Sequence, residues 1–186
     1  MKIAITGHTK GLGAGLYKHF QDHGHQVLGF SRTNGYPLQT KIPQIVENSL
    51  DCDVFINNAF APKSYPTTSQ VRLLNSLFDR WKNEKKTIIN IGSYVTDFSI
   101  DVQHSSEDQD YFIEKTNLDI TCKQLRKLNA QCKVILLRPN YIGSNRTLKM
   151  VNPEVYIDIF EICNLIDYII SSKIILEDVL FRKGKW

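Results

Sequence analysis

The chain opens Lys2-Ile3-Ala4-Ile5-Thr6-Gly7-His8-Thr9-Lys10-Gly11-Leu12-Gly13, and this stretch decides how everything after it is read. Lys2 to Thr6 is a short apolar run without alternation, the pattern of a strand covered on both faces. It passes straight into a turn with glycine at positions 7, 11 and 13. Leu12, Leu16 and Phe20 then recur at helical spacing, and Gly24 stands where a helix ends. Strand, glycine turn and helix in that order bring backbone N–H groups to a helix N-terminus. There they can approach a pyrophosphate that any Cβ would hold away. A glycine triplet also serves plain tight turns, so the weight falls on its place between strand and helix.

Outward from this unit the pattern repeats. Further apolar runs are Val27-Leu28, Val54-Phe55-Ile56, Ile88-Ile89 and Val134-Ile135-Leu136-Leu137, with a last strand expected around Ile174-Ile175-Leu176. Between them lie helical stripes: Val71, Leu74, Phe78 and Trp81; Leu118, Cys122 and Leu125; Val155, Ile159, Ile162, Ile166 and Ile169. Ile42, Ile45 and Val46 suggest only a short helix. Strand and helix alternate through nearly the whole chain, which predicts an α/β fold: a doubly wound parallel sheet of Rossmann type in three α/β/α layers. No repeat or linker interrupts it, so residues 1–186 are expected to form a single domain.

The bulk properties exclude several function classes. With 42% hydrophobic and 23% charged residues the composition is that of an ordinary soluble protein. A net charge of +4 spread along the chain gives no concentrated basic face, so no nucleic-acid partner is expected. The tight pair Lys85-Lys86 reads as a solvated helix end. Four scattered cysteines, with no C-x-x-C, suggest reduced thiols and no metal site. No apolar run approaches the roughly 20 residues of a membrane span, and the first strand leaves no room for a signal peptide. A cytoplasmic protein with no membrane partner is the expectation. His8, His19, His23 and His25 read as turn and helix-surface residues.

The spacing Thr6-Gly7-x-x-x-Gly11-x-Gly13 resembles the fingerprint of the short-chain dehydrogenases/reductases. That resemblance implies an NAD(P)-binding domain whose loop residues Gly7, Thr9, Lys10, Gly11, Leu12 and Gly13 hold the cofactor. The second strand ends Gly29-Phe30-Ser31-Arg32-Thr33 without a carboxylate for the adenosine ribose. A guanidinium there suits a 2′-phosphate, and Lys10 adds a cation from the other side. Ser31, Arg32 and Thr33 are therefore read as cofactor-binding, with NADP (NADPH) favoured and NAD less so. Asn57-Asn58-Ala59-Phe60 is similar to the family's N-N-A-G with Phe60 in place of glycine, which implies that Asn58 and Ala59 line the adenosine pocket. Arg138-Pro139-Asn140-Tyr141-Ile142-Gly143-Ser144 resembles P-G-x-V-x-T, so Pro139, Ile142 and Ser144 are expected at the nicotinamide.

Tyr111-Phe112-Ile113-Glu114-Lys115 matches Y-x-x-x-K, which on a helix puts both side chains on one face. A phenol with its reference pKa of about 10 is a poor base at neutral pH. An ammonium at ~4 Å is worth on the order of 4 kcal/mol at an effective dielectric of 20, enough to lower that value substantially. The resemblance makes Tyr111 the acid/base and Lys115 the group that tunes it and holds the nicotinamide ribose. Ser93, closing Ile89-Asn90-Ile91-Gly92-Ser93, resembles the family's N-x-S-S serine, which holds the substrate oxygen at the C-terminal edge of the sheet. Asn75 is the nearest candidate for the family's relay asparagine.

The chain is short for the family. Asn145 to Asn152 leads almost at once into a helix from Pro153 to Ser172, which implies an open substrate pocket under the Tyr94 to Asp110 loop, where His104 sits. The implied activity is NADP(H)-dependent oxidoreduction of a small carbonyl or alcohol, in a homodimer or homotetramer. Alternatives are a catalytically silent NADP(H)-binding sensor or scaffold, and an epimerase or dehydratase with tightly held NAD. Retention of both Tyr111 and Lys115 speaks against the sensor, Arg32 and chain length against the epimerase.

Overall fold

Apolar strands alternate with amphipathic helices in the computed structural model, which describes residues 1–61, 68–97, 106–143 and 153–184. The elements are β1 (Lys2–Thr6), α1 (Gly11–Asp22), β2 (Gln26–Phe30), α2 (Ile42–Asn48), β3 (Val54–Asn57) and α3 (Ser69–Trp81). They continue with β4 (Thr87–Ile91), α4 (Ser106–Leu125), β5 (Lys133–Pro139), α5 (Ile159–Ser171) and β6 (Asp178–Phe181). The strands form one parallel sheet in the order β2-β1-β3-β4-β5-β6. The winding direction reverses between β1 and β3, and in such sheets the crevice beyond the strand C-termini at that point takes ligands.

Successive strand residues point to opposite faces, so each strand feeds two cores. Ala4, Phe55, Ile88 and Leu136 pack beneath α2, α3 and α4, with Leu74, Phe78 and Trp81 from α3 and Leu118 and Cys122 from α4. Ile3, Ile5, Ile56, Ile89 and Leu137 pack on the other face against Leu16 and Phe20 of α1 and Ile162, Ile166 and Ile169 of α5. The expected three-layer α/β/α fold is therefore present. Gly24 takes φ +76° just past α1, as its place after the helical stripe implied. Among the described residues no helix is long and apolar enough to cross a membrane.

Three local readings need correction. The last strand begins at Asp178, not at Ile174, and Ile174 and Ile175 are exposed. Register explains the shift: Asp178 pairs with Leu136, and its carboxylate binds Arg138 of β5 at 2.9 Å. Apolarity alone could not see that ion pair. The helix expected from Pro153 is a single 3-10 turn there, and α5 starts at Ile159, where Asp158 and Glu161 form a capping box. Lys86 is no solvated helix end either. Its amine donates to the Leu50 carbonyl and lies 4.9 Å from the centre of the Trp81 ring.

Candidate functional site

The loop after β1 owes its shape to what its glycines allow. Gly7 sits at φ +74° and Gly11 at φ +54°, conformations that side chains disfavour. A Cβ on Gly13 would collide with the Gly7 carbonyl oxygen, so the first turn of α1 lies directly on the loop. Lys10, the residue before α1, makes no side-chain cap, and the first-turn N–H groups have no acceptor within the helix. Those N–H groups are the ordinary place for an anion.

Thr6, Asn58 and Ala59 lock this loop to β3. The Thr6 hydroxyl oxygen accepts from the backbone N–H of Asn58 at 2.9 Å and of Ala59 at 3.0 Å, while the Asn58 amide donates to the Thr6 carbonyl at 2.9 Å. On the far side the Gly7 N–H donates to the Phe30 carbonyl at the end of β2. Asn34 pre-forms the loop that follows. Its amide donates to the Gly29 carbonyl at 2.7 Å, and its oxygen accepts from the Ser31 N–H at 2.8 Å. The Ser31 and Thr33 hydroxyls bond each other at 2.8 Å, which leaves Arg32 exposed between them.

These loops enclose a groove of about 400 Å³. Of the residues read as cofactor-binding, Gly7, Thr9 and Lys10 line one wall, Ser31, Arg32 and Thr33 a second, and Asn58 and Ala59 the floor. Gly11, Leu12 and Gly13 lie behind the wall: Leu12 is in the core, and Gly13 lets α1 approach. Two cations, several hydroxyls and a cradle that a Cβ would fill suit the phosphorylated end of a dinucleotide.

The second half of the site is at the C-terminal end of β4. Lys115, on α4, is 2% exposed. Its amine donates to the Ile91 carbonyl at 2.6 Å and to Gln70 Oε1 at 2.7 Å, and it lies 5.3 Å from the centre of the Tyr111 ring. Loss of hydration drives its pKa down to about 7, although Glu114 beside it pulls the other way. Glu114 is buried too, and burial raises its pKa while backbone N–H groups oppose the rise. Its Oε1 accepts the Gln70 N–H at 2.6 Å, and the N–H groups of Ser69 and Val71 also act on it. A carboxylate from α4 thus caps α3, whose own N-cap residue Thr68 makes no side-chain cap.

Gln70 joins the two halves. Its amide donates to the Asn57 carbonyl at 3.0 Å, and the Asn57 amide returns bonds to the Gln70 carbonyl and to Asn90 Oδ1, both at 3.0 Å. Sequence reasoning missed Gln70. It pointed to Asn75 for this neighbourhood, and Asn75 is exposed on the outer side of α3. The overlooked signal is polarity at the first turn of α3, just before its apolar stripe begins.

Tyr111 packs edge-to-face on Phe60 at 5.0 Å, and Phe60 lines the groove, so one ring stands between the phenol and the cavity. Ser93 lies two residues past Ile91, and its hydroxyl oxygen accepts the Val95 N–H at 3.2 Å. Its proton then points away from that bond. The loop-capping role of a serine is present here without using up the donor. Pro139 is buried at the end of β5, and Ile142 forms an isolated bridge with Ile157. Ser144 and His104 lie outside the described residues. The fold also gathers His19 of α1 and His23, just past its end, with Asp167 of α5, which the reading of single histidines did not anticipate. Their i, i+4 spacing was the available signal.

No family model and no curated protein matches the chain. Solved structures do match over nearly their whole lengths. An alcohol dehydrogenase from Thermococcus sibiricus, complexed with 5-hydroxy-NADP, is 16% identical with TM-score 0.72, covering 100% of both chains. A short-chain dehydrogenase from Burkholderia cenocepacia in complex with NADP is 16% identical with TM-score 0.76, covering 99% of this chain and 88% of the other. A 3-alpha-hydroxysteroid dehydrogenase from Pseudomonas, complexed with NADH, is 16% identical with TM-score 0.76, covering 99% and 96%. The chain has the Rossmann-type fold of the short-chain dehydrogenase structures.

Proposed function

We propose that this chain, read as one cofactor-binding domain over residues 1–186, is a short-chain dehydrogenase/reductase. In this reading it oxidises or reduces a small carbonyl or alcohol with a nicotinamide dinucleotide, NADP(H) in preference to NAD(H). One observation carries the reading: a buried lysine amine is packed against the ring of a tyrosine that itself packs on Phe60 of the groove wall, at the strand edge where Ser93 stands. The pattern Tyr111-x-x-x-Lys115 arises easily by chance. Its placement beside a glycine-shaped groove does not.

The residues present fit the dinucleotide. The loop of Gly7, Thr9, Lys10 and Gly11 and the N–H groups of Leu12 and Gly13 would hold its phosphates. Arg32, with Ser31, Thr33 and Lys10, would hold a 2′-phosphate, and Asn58 and Ala59 would flank the adenosine. Pro139, Ile142 and Ser144 would serve the nicotinamide end. Bound there, the cofactor supplies or accepts the hydride. Tyr111 donates a proton to the substrate oxygen in reduction and takes it back in oxidation. Ser93, its oxygen already engaged by Val95, offers its hydroxyl proton to the same substrate oxygen. Lys115 holds the ribose and, when protonated, favours the phenolate. With its pKa near 7, that help is graded across neutral pH. Gln70 and the Ile91 carbonyl fix the amine beneath the ring. A homodimer or homotetramer through α3 and α4 accords with Ile113 and Ile120, exposed seven residues apart along α4.

A second reading draws on the same lysine. Both of its hydrogen bonds end on protein acceptors, as in a structural role within a cofactor-binding sensor that turns nothing over. Tyr111→Phe separates the two. The enzyme reading expects a fall of about 10²–10⁴-fold in turnover of a carbonyl panel, with NADPH binding by fluorescence unchanged. Turnover untouched by the substitution, or absent from the parent across the panel while NADPH binds, favours the sensor.

A further inference from the structure

On the side of α1 that faces α5, helical periodicity brings Gly15, His19 and His23 into one row. Gly15 permits the close approach: a Cβ there would run into Ile159 of α5. One turn on, His19 is buried at 8% exposure, with Phe20 and Phe160 edge-on to its ring. Its Nε2 meets Asp167 Oδ2 at 2.6 Å. The His23 ring lies alongside at 4.2 Å between centroids, and its Nδ1 donates to the His19 carbonyl at 2.7 Å. That backbone bond orients the ring and leaves the Nε2 lone pair free, the arrangement usual for an imidazole ligand.

We propose that His19, His23 and Asp167 form a site for a divalent first-row transition ion, zinc by preference, that clips α1 to α5. Nothing in the proposed oxidoreductase reading uses these residues. His19 lies about 12 Å along α1 from Gly11, at 1.5 Å per residue, and so apart from the groove. Two imidazole nitrogens and one carboxylate oxygen, with a water as fourth ligand, are a common zinc donor set.

The distances permit it. Bonds of about 2.0–2.1 Å at tetrahedral angles need donor atoms roughly 3.4 Å apart. The three ligand atoms lie within 4.8 Å of one another, and the tightest pair is at 2.6 Å. Small side-chain rotations therefore open one pair and close the others. As the ion enters, it replaces the hydrogen between His19 Nε2 and Asp167 Oδ2, so that their hydrogen bond becomes two metal bonds and the ring keeps one proton, on Nδ1. The carboxylate is one-third exposed and His23 is exposed, so the ion has a way in from solvent. A cation there also faces the C-terminal end of α1, where the helix field favours positive charge.

The test uses the full-length protein, freed of metal by chelation and then titrated with zinc chloride. Binding is followed by calorimetry and by melting temperature, and cobalt substitution supplies a visible spectrum. Expected are one ion per chain, a raised melting temperature, and the d–d bands of a tetrahedral nitrogen and oxygen site. His23→Ala and Asp167→Asn each weaken binding at least tenfold. His23 is exposed, so its removal leaves the fold intact, and an unchanged melting temperature of the metal-free variant checks this. NADPH binding should be the same with and without zinc. Absence of saturable binding in the parent overturns the proposal, as does undiminished binding in both variants. Loss of binding only in Cys163→Ser, one turn before Asp167 on α5, overturns it as well by moving the ion to a thiol.

Discussion

Along β1 and β2 the groove is shaped by backbone: two glycines at positive φ, a helix pressed against a carbonyl, and first-turn N–H groups with no acceptor inside the helix. Along β4 and α4 the opposite holds. There two oppositely charged side chains, Lys115 and Glu114, are buried, and their partners come from β4 and α3, far away in sequence. The first region depends on the absence of side chains. The second depends on satisfying several at once, and buried polar groups of that kind are costly when any one partner is lost. Each region should therefore fail in its own way.

The largest effect is expected at Lys115. In the folded protein its amine keeps a proton only below about pH 7, whereas the unfolded chain keeps it to about 10.5. Between those values unfolding takes up a proton, so the parent gains stability as pH rises through the window. Lys115→Met lacks this linkage. The stability difference between parent and variant should change in favour of the parent, by on the order of a few kcal/mol, from pH 7 towards 10.5. Urea denaturation across that range measures it. A flat difference would mean that the amine is hydrated, and the contrast between the two regions would be lost.

In the backbone-built region the informative pair is Gly13 and Gly15, two residues apart in α1 and so on different faces of it. Alanine at either gains about 1 kcal/mol of helix propensity. At Gly13 the new methyl meets the Gly7 carbonyl, which cannot move without reshaping the loop. Overpacking of that kind costs about 1–3 kcal/mol and so outweighs the gain. At Gly15 the obstacle is the Ile159 side chain, which can turn aside. Thermal unfolding should therefore rank Gly13→Ala below Gly15→Ala, and only the former should weaken NADPH binding. The reverse order would show that the loop, not α1, gives way.

The same contrast explains what was legible in the sequence. The fold followed from the period of apolar residues, because a strand buried on both faces and a helix with one buried stripe leave distinct marks. The glycine loop was legible because its geometry excludes side chains. Arg32 was legible from its place just past β2. Gln70 was not, since nothing local to Thr68-Ser69-Gln70 shows that a lysine 45 residues later will need its amide oxygen. Lys86 and the start of β6 escaped for the same reason: a carbonyl, an indole ring and an arginine from other elements decide them. The His19, His23 and Asp167 cluster shows both sides, with its i, i+4 half visible and its α5 half hidden.

The smallest effect separates the groove's shape from its charge. Arg32 is exposed, and no hydrogen bond to another described residue defines its head group, so little stability is at stake in Arg32→Ala. What changes is a charge beside the groove wall. An exposed charged contact contributes about 1 kcal/mol, and a two-pronged guanidinium–phosphate pair somewhat more, so NADPH affinity should fall roughly tenfold. NADH carries no 2′-phosphate, and its affinity should not change. Lys10→Ala should act in the same direction but less, as a point charge without the planar fork. Raising the salt concentration should shrink the gap between parent and variant for NADPH alone, because screening acts on exposed charges. Equal losses for both cofactors would mean that Arg32 supports the loop and does not read the phosphate. That would bring the β2 side of the groove closer to the β4 side, where side chains hold the structure and recognise the ligand together.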